Sequence, residues 1–232
     1  MEATSLMTHP SADLAGPPLK TTVLGEQIAY RCVSGPARPG IVAIHGLGSD
    51  SRDLLELVRS LHMGAVLIDL PGFGHSCRPD REFPVHRAAR AVLSLLDRLG
   101  WVRPIWLGAS YGAHVALRAA LDAPLRVERM VLISSGGLDP TPPAALIDYF
   151  AEERLAARTR DQVACNLDAL VCQPTAATER YLERRLALHG ELDAPGGNDL
   201  VTVARSAQGA LRDDTPRRLE RIYQPVDLLH GE

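Results

Sequence analysis

Pro104-Ile105-Trp106-Leu107-Gly108-Ala109-Ser110-Tyr111-Gly112 decides how this chain is read. Pro104–Leu107 is apolar and short, the pattern of a buried strand. Tyr111–Leu121 carries apolar residues at helical spacing. Between them a serine sits among small residues. A serine on a strand-to-helix turn is forced into a strained backbone conformation, and glycine neighbours relieve the crowding. Its hydroxyl then stands above the sheet at a helix N-terminus, where aligned amides favour developing negative charge. A bare Gly-x-Ser-x-Gly is common by chance. The strand before it and the helix after it give it meaning.

The same alternation extends in both directions. Lys20–Leu24 and Gln27–Val33 flank Gly25-Glu26 and read as a hairpin. Ile41–His45 is an apolar strand ending at Gly46, and Asp50–Leu61 is an amphipathic helix. Ala65–Asp69 is a strand closed by Pro71-Gly72. Val85–Leu99 is a helix whose inward stripe is Ala88, Ala91, Val92, Leu95, Leu96 and Leu99. Arg129–Ile133 is a further strand. Strands this apolar, separated by helices, predict a parallel sheet covered on both faces. The fold class is therefore α/β, mostly parallel and doubly wound, with an antiparallel N-terminal hairpin.

The character changes after Ser134-Ser135-Gly136-Gly137. Helical patterns cover Ala144–Arg158, Arg160–Val171, Ala176–His189, Asn198–Leu211 and Pro216–Ile222, before Val226–Leu229 returns as a strand. Residues 138–223 are thus expected to be a helical cap inserted into a core of residues 19–137 and 224–232. Residues 1–18, rich in Ser, Thr, Ala and Pro, are expected to be a flexible leader.

Composition narrows the function. Hydrophobic residues are 46% and charged residues 23% of the 232, with a net charge of −3. That balance offers no basic field for nucleic acid. Lys20 is the only lysine. No apolar run approaches the ~20 residues that span a bilayer, and no secretory signal pattern opens the chain. A cytoplasmic location follows as the expectation. Cys32, Cys77, Cys165 and Cys172 form no Cys-x-x-Cys pair, so no zinc or other metal site is expected. Cys165 and Cys172, two helical turns apart, are expected to share a buried face.

Two further loops belong to the chemistry. His45-Gly46-Leu47-Gly48-Ser49 follows a strand and lets backbone amides point into a cleft. The amides of Leu47 and Tyr111 are the candidate oxyanion hole, Gly46 lies beside it, and His45 is expected to brace the loop. Asp69-Leu70-Pro71-Gly72-Phe73-Gly74-His75-Ser76 is a rigid turn across the top of the sheet. It is expected to be scaffold, with His75 and Ser76 at the mouth of a pocket.

These three segments, in this order and spacing, resemble the α/β-hydrolase superfamily over about residues 20–232, and the capped esterases and C–C bond hydrolases within it. The resemblance implies Ser110 as nucleophile and Leu47 and Tyr111 as oxyanion-hole amides. It implies a small ester or thioester as substrate, an acyl-enzyme, and no cofactor. It also implies what this stretch lacks. In that family the strand matching Val226–Leu229 is followed by Gly-x-x-Asp; here Gly231 is followed by Glu232. The acid is expected about two residues further on, and the histidine after another strand and helix. On that expectation the chain is C-terminally truncated, impaired in catalysis, and open to self-association along an exposed sheet edge. Asp139 and Glu232 are the internal alternatives for the acid. His114, His86, His189 and His230 are those for the base, none of them in the expected position. The competing reading is a non-catalytic ligand-binding domain, or one completed by a partner.

Overall fold

The computed structural model describes residues 16–35, 40–79, 83–141, 144, 159–168, 171, 173–190 and 200–231. A seven-stranded sheet forms the frame, built from β1 (Leu19–Val23), β2 (Glu26–Val33), β3 (Ile41–Ile44), β4 (Ala65–Asp69), β5 (Ile105–Ala109), β6 (Arg129–Ile133) and β7 (Val226–Leu229). Its order is β1-β2-β4-β3-β5-β6-β7. The hairpin β1–β2 is antiparallel and joins β4 antiparallel; every pairing from β4 to β7 is parallel.

The parallel strands are apolar on both faces because both faces are covered. Val42 and Ile44 of β3 pack with α2 (Val85–Arg98) and α3 (Tyr111–Asp122) in the larger core. Ile41 and Ala43 face the other way, toward α1 (Leu55–Ser60). The stripe expected for α2 is where it should be: Ala88, Val92, Leu95 and Leu96 are fully buried. That helix stops at Gly100, whose φ of +69° lets Trp101 N–H reach back to the Leu96 carbonyl at 2.8 Å.

Boundaries differ from the sequence reading in two instructive places. Strand β5 runs two residues further, to Ala109, because Gly108 and Ala109 pair with Leu132 and Ile133 of β6. The helix expected over Asp50–Leu61 divides into a 3-10 turn, Ser51–Leu54, and α1. Asp50 caps that turn by accepting from Arg52 N–H at 2.8 Å.

Between β6 and β7 the described residues hold α4 (Arg160–Asp168), α5 (Ala176–Gly190), α6 (Leu200–Arg212) and a 3-10 helix, Thr215–Arg221, with no strand among them. The helix expected over Ala144–Arg158 lies almost wholly outside the described residues, as do residues 1–15 of the expected leader. Val163, Leu167 and Leu182 pack α4 against α5 in a small core of their own. Cys165 is exposed, on the opposite side of α4 from Val163 and Leu167, which corrects the buried face expected for it; Cys172 lies outside the described residues. Strand β7 is last in the sheet order and is well exposed, Leu228 at 58% and Leu229 at 53%.

Candidate active site

Ser110 occupies the step between β5 and α3 with φ +50° and ψ −110°. A non-glycine residue is strained there, and the surroundings hold it in place. Its N–H donates to the Ile133 carbonyl at 2.9 Å, and its carbonyl accepts from Gly136 N–H at 3.1 Å and from the first turn of α3. The flanking glycines are dictated by space. A Cβ on Gly108 would lie 2.5 Å from Ala113 N. A Cβ on Gly112 would collide with the carbonyl oxygens of Ile44 and His45. Strand β3, strand β5 and α3 therefore meet backbone to backbone around the serine.

The β3 loop reaches the same point. A Cβ on Gly46 would sit 3.4 Å from Ser110 Cβ and 4.0 Å from Ser110 Oγ. So the residue before Leu47 lies directly against the serine, which is partly exposed. Among the described residues, neither Leu47 N–H nor Tyr111 N–H has a hydrogen-bond acceptor. An oxyanion hole requires amides without other acceptors. The Tyr111 side chain points away from this chemistry. It is buried, burial pushes its phenol pKa well up, and its hydroxyl approaches the Phe83 carbonyl at 3.5 Å.

The histidines are placed elsewhere. His45 is fully buried: Leu70 N–H donates to its Nε2 at 3.1 Å, so Nδ1 carries the proton toward the Gly46 carbonyl at 2.7 Å. It braces the loop, as expected. His114, one turn into α3, packs its ring over Gly137 and bonds Asp213 through Nε2 at 3.1 Å. Arg118 joins Asp213 at 3.3 Å, tying α3 to the end of α6. Burial alone would push the Asp213 pKa up; hydrogen bonds from His114 and Thr215 outweigh it and hold the carboxyl below its ordinary range. His86 and His230 are exposed. The His189 side chain and Glu232 lie outside the described residues. Asp139 is exposed and accepts from Thr141 N–H at 2.7 Å. Among the described residues, no histidine or carboxylate hydrogen-bonds Ser110 Oγ.

The turn after β4 is scaffold. Asp69 is fully buried; Oδ1 accepts from Ser51 N–H at 2.8 Å and Oδ2 from His75 N–H at 2.9 Å. Ser76, expected at a pocket mouth, is instead buried, donating to the Asp69 carbonyl and accepting from Ala29 N–H at 2.8 Å. A hydroxyl between two strands serves their hydrogen bonding before any ligand. His75 does line a cavity, bounded by α1, β2 and α5. The sequence reading did not single out Arg31, Arg52 or Arg184, which line it too. Their spacing along the chain gives no hint that they converge.

Asp69 gives a pH prediction. Burial would raise its pKa, but the hydrogen bonds from His75 and Ser51 prevail and bring it down to about 2. A carboxyl lowered on folding stabilises the fold fully above its unfolded pKa of about 4, and the contribution is lost as pH falls toward 2. Asp69→Asn is expected to cost roughly 2 kcal/mol at pH 7. In urea unfolding curves the gap from wild type should close between about pH 4 and pH 2. A gap independent of pH would show that the charge is not what matters.

Residues 39–226 match the family model described as alpha/beta hydrolase fold. The chain belongs to that family. It is 29% identical over 171 residues to a dihydrolipoyllysine-residue acetyltransferase component of the acetoin cleaving system from Pseudomonas putida, covering 73% of this chain and 45% of that protein. It is 34% identical over 108 residues to a pimeloyl-[acyl-carrier protein] methyl ester esterase from Pectobacterium atrosepticum, covering 46% and 40%. The chain thus spans less than half the length of these curated relatives. A crystallised hydrolase from Pseudomonas aeruginosa superposes with a TM-score of 0.73 at 26% identity, over 94% of this chain and 81% of that one. The α/β-hydrolase fold carries hydrolases, with esterases among the relatives of this one. Among the described residues, no helix is long and apolar enough to cross a membrane.

Proposed function

We propose that this α/β hydrolase acts on a small ester or thioester through Ser110, forming an acyl-enzyme. The observation that carries this reading is the Ser110 backbone, held at φ +50° with Gly46 packed against its hydroxyl. Ser110 Oγ attacks the carbonyl carbon, and the amides of Leu47 and Tyr111 receive the oxyanion. The leaving alcohol or thiol departs as the carbonyl re-forms, and water then releases the acid. The helices between β6 and β7 act as a cap over the cleft. A proton acceptor for Ser110 comes from residues other than those described. The exposed β7 edge offers itself for self-association.

The test compares wild type with Ser110→Ala on short p-nitrophenyl esters, with mass spectrometry locating the acyl group. An acyl group on Ser110, absent in the variant, is expected. Acylation at another residue, or none, would overturn the assignment. A second reading, ligand binding without turnover, is favoured by the lack, among the described residues, of a base beside Ser110 Oγ. It predicts saturable ester binding with no acyl adduct.

A further inference from the structure

We propose, resting on the serine reading above, that His114 and Asp213 are positioning residues that aim the Tyr111 N–H at the oxyanion.

The lever is one peptide group. The Ser110 carbonyl and the Tyr111 N–H belong to the same planar unit, and in a trans peptide they point in opposite directions. Whatever fixes the carbonyl therefore fixes the amide. Three donors meet that carbonyl: Ala113 N–H at 3.1 Å, His114 N–H at 3.2 Å and Gly136 N–H at 3.1 Å. Ala113 and His114 belong to α3 and turn with it. Gly136 lies outside α3, in the loop after β6, and so sets the direction of the peptide relative to the sheet.

The His114 ring holds that loop. Gly137 has φ +78°, and a Cβ there would collide with His114 Cδ2 and lie 2.9 Å from its Nε2. A ring that close to the backbone cannot turn without displacing Gly136 and Gly137. Asp213 keeps the ring from turning. Its Oδ1 accepts from His114 Nε2 at 3.1 Å, and both side chains are buried. Asp213 has no freedom to swing: Thr215 N–H donates to Oδ1 at 3.0 Å, and Arg118 Nη1 reaches Oδ2 at 3.3 Å. The helix it follows, α6, is itself fixed to the core. Ala207 is fully buried, Ala210 packs on the larger core, and a Cβ on Gly209 would meet Pro84 Cα at 3.6 Å, an ordinary contact.

A tie between α3 and the end of α6 explains part of this. Arg118 already provides that tie, through Asp213 at 3.3 Å and Asp214 at 2.7 Å. It does not account for an imidazole wedged between Asp213 and the loop that grips the Ser110 carbonyl. Burying a carboxylate is costly unless its partners are well placed, and removing one partner from such a pair leaves the other uncompensated. An apolar ring at position 114 could fill the space over Gly137, but nothing would tether it to Asp213.

Residual dipolar couplings of the backbone amides in the full chain test this, because they report the direction of each N–H. In His114→Leu the Tyr111 and Gly136 couplings should depart from wild type while those of β3 and β4 stay. Asp213→Asn keeps the size of the side chain, should show a smaller departure, and stays informative if His114→Leu does not fold. His114→Gln can place a donor where Nε2 stands and should restore the wild-type couplings. The rate of Ser110 acylation by p-nitrophenyl butyrate should fall about tenfold or more in His114→Leu, at an unchanged half-saturating ester concentration, and recover in His114→Gln. Asp122→Ala removes another partner of Arg118 and should change neither readout. Unmoved Tyr111 couplings in both His114→Leu and Asp213→Asn would overturn the proposal. So would moved couplings with an unchanged acylation rate, or an equal response in Asp122→Ala. If the wild type forms no adduct on Ser110, the serine reading fails, and the couplings alone still decide whether the pair holds this peptide.

Discussion

Gly112→Ala is expected to destabilise the protein by about 3 kcal/mol or more, though it adds a single methyl group. The added carbon would lie 2.1 Å from the Ile44 carbonyl oxygen and 2.6 Å from that of His45, well inside van der Waals contact. Neither oxygen can turn aside. Ile44 ends β3, which pairs with β4 on one side and β5 on the other, and the His45 carbonyl leads into the loop that carries Leu47. Helix α3 would have to retreat from the sheet, taking Val115, Ala116 and Leu117 out of the packing they share with α2. Gly100→Ala is the control. Gly100, unlike Gly112, needs a positive φ, +69°, but a Cβ there meets nothing within 4 Å. Its cost should be about 1 kcal/mol, the conformational penalty alone. Urea unfolding of the two variants separates crowding from backbone strain. Equal losses would mean that the close approach of α3 to β3 is not what the glycine is for.

That contrast also shows what the sequence could disclose. Strands β3, β4 and β6 were legible to within a residue because strands covered on both faces are nearly continuous apolar runs; β7, though exposed, keeps three apolar residues in four. The turn at Ser110 was legible because much of its constraint is local: a positive φ at Ser110 and no room for a Cβ on Gly108 beside Gly112 and Ala113. Ser76 was misread because its role is long-range. Its partners, Asp69 and Ala29, come from β4 and β2, whose pairing no local pattern announces. The division of the Asp50–Leu61 helix was missed because apolar spacing does not tell a 3-10 turn from the first turn of an α-helix. The arginine-lined cavity was invisible for the strongest version of that reason. Residues 31, 52 and 184 share no periodicity and meet only once three elements have packed.

The nucleophile assignment has a quantitative consequence. In a complete serine triad, removing the base costs about 10⁴–10⁶ in kcat. The oxyanion hole and binding alone leave ~10³–10⁴ over the uncatalysed rate in water. The described residues supply the serine and two amides and put no histidine on Ser110 Oγ: His45 is committed to Leu70 and Gly46, and His114 to Asp213. A chain whose serine has no base is expected to hydrolyse p-nitrophenyl butyrate near the lower level. Ser110→Ala should change that steady-state rate by less than about tenfold, because residues acting as a unit are not additive. The acyl adduct should nevertheless vanish completely, since the proposed nucleophile is Ser110 alone. The two readouts divide the question. Loss of the adduct tests whether Ser110 is the nucleophile; the size of the rate change tests whether a base engages it. A Ser110-dependent rate at the level of an intact triad would refute the second point alone, and would direct the search for the base to the segments outside the described residues.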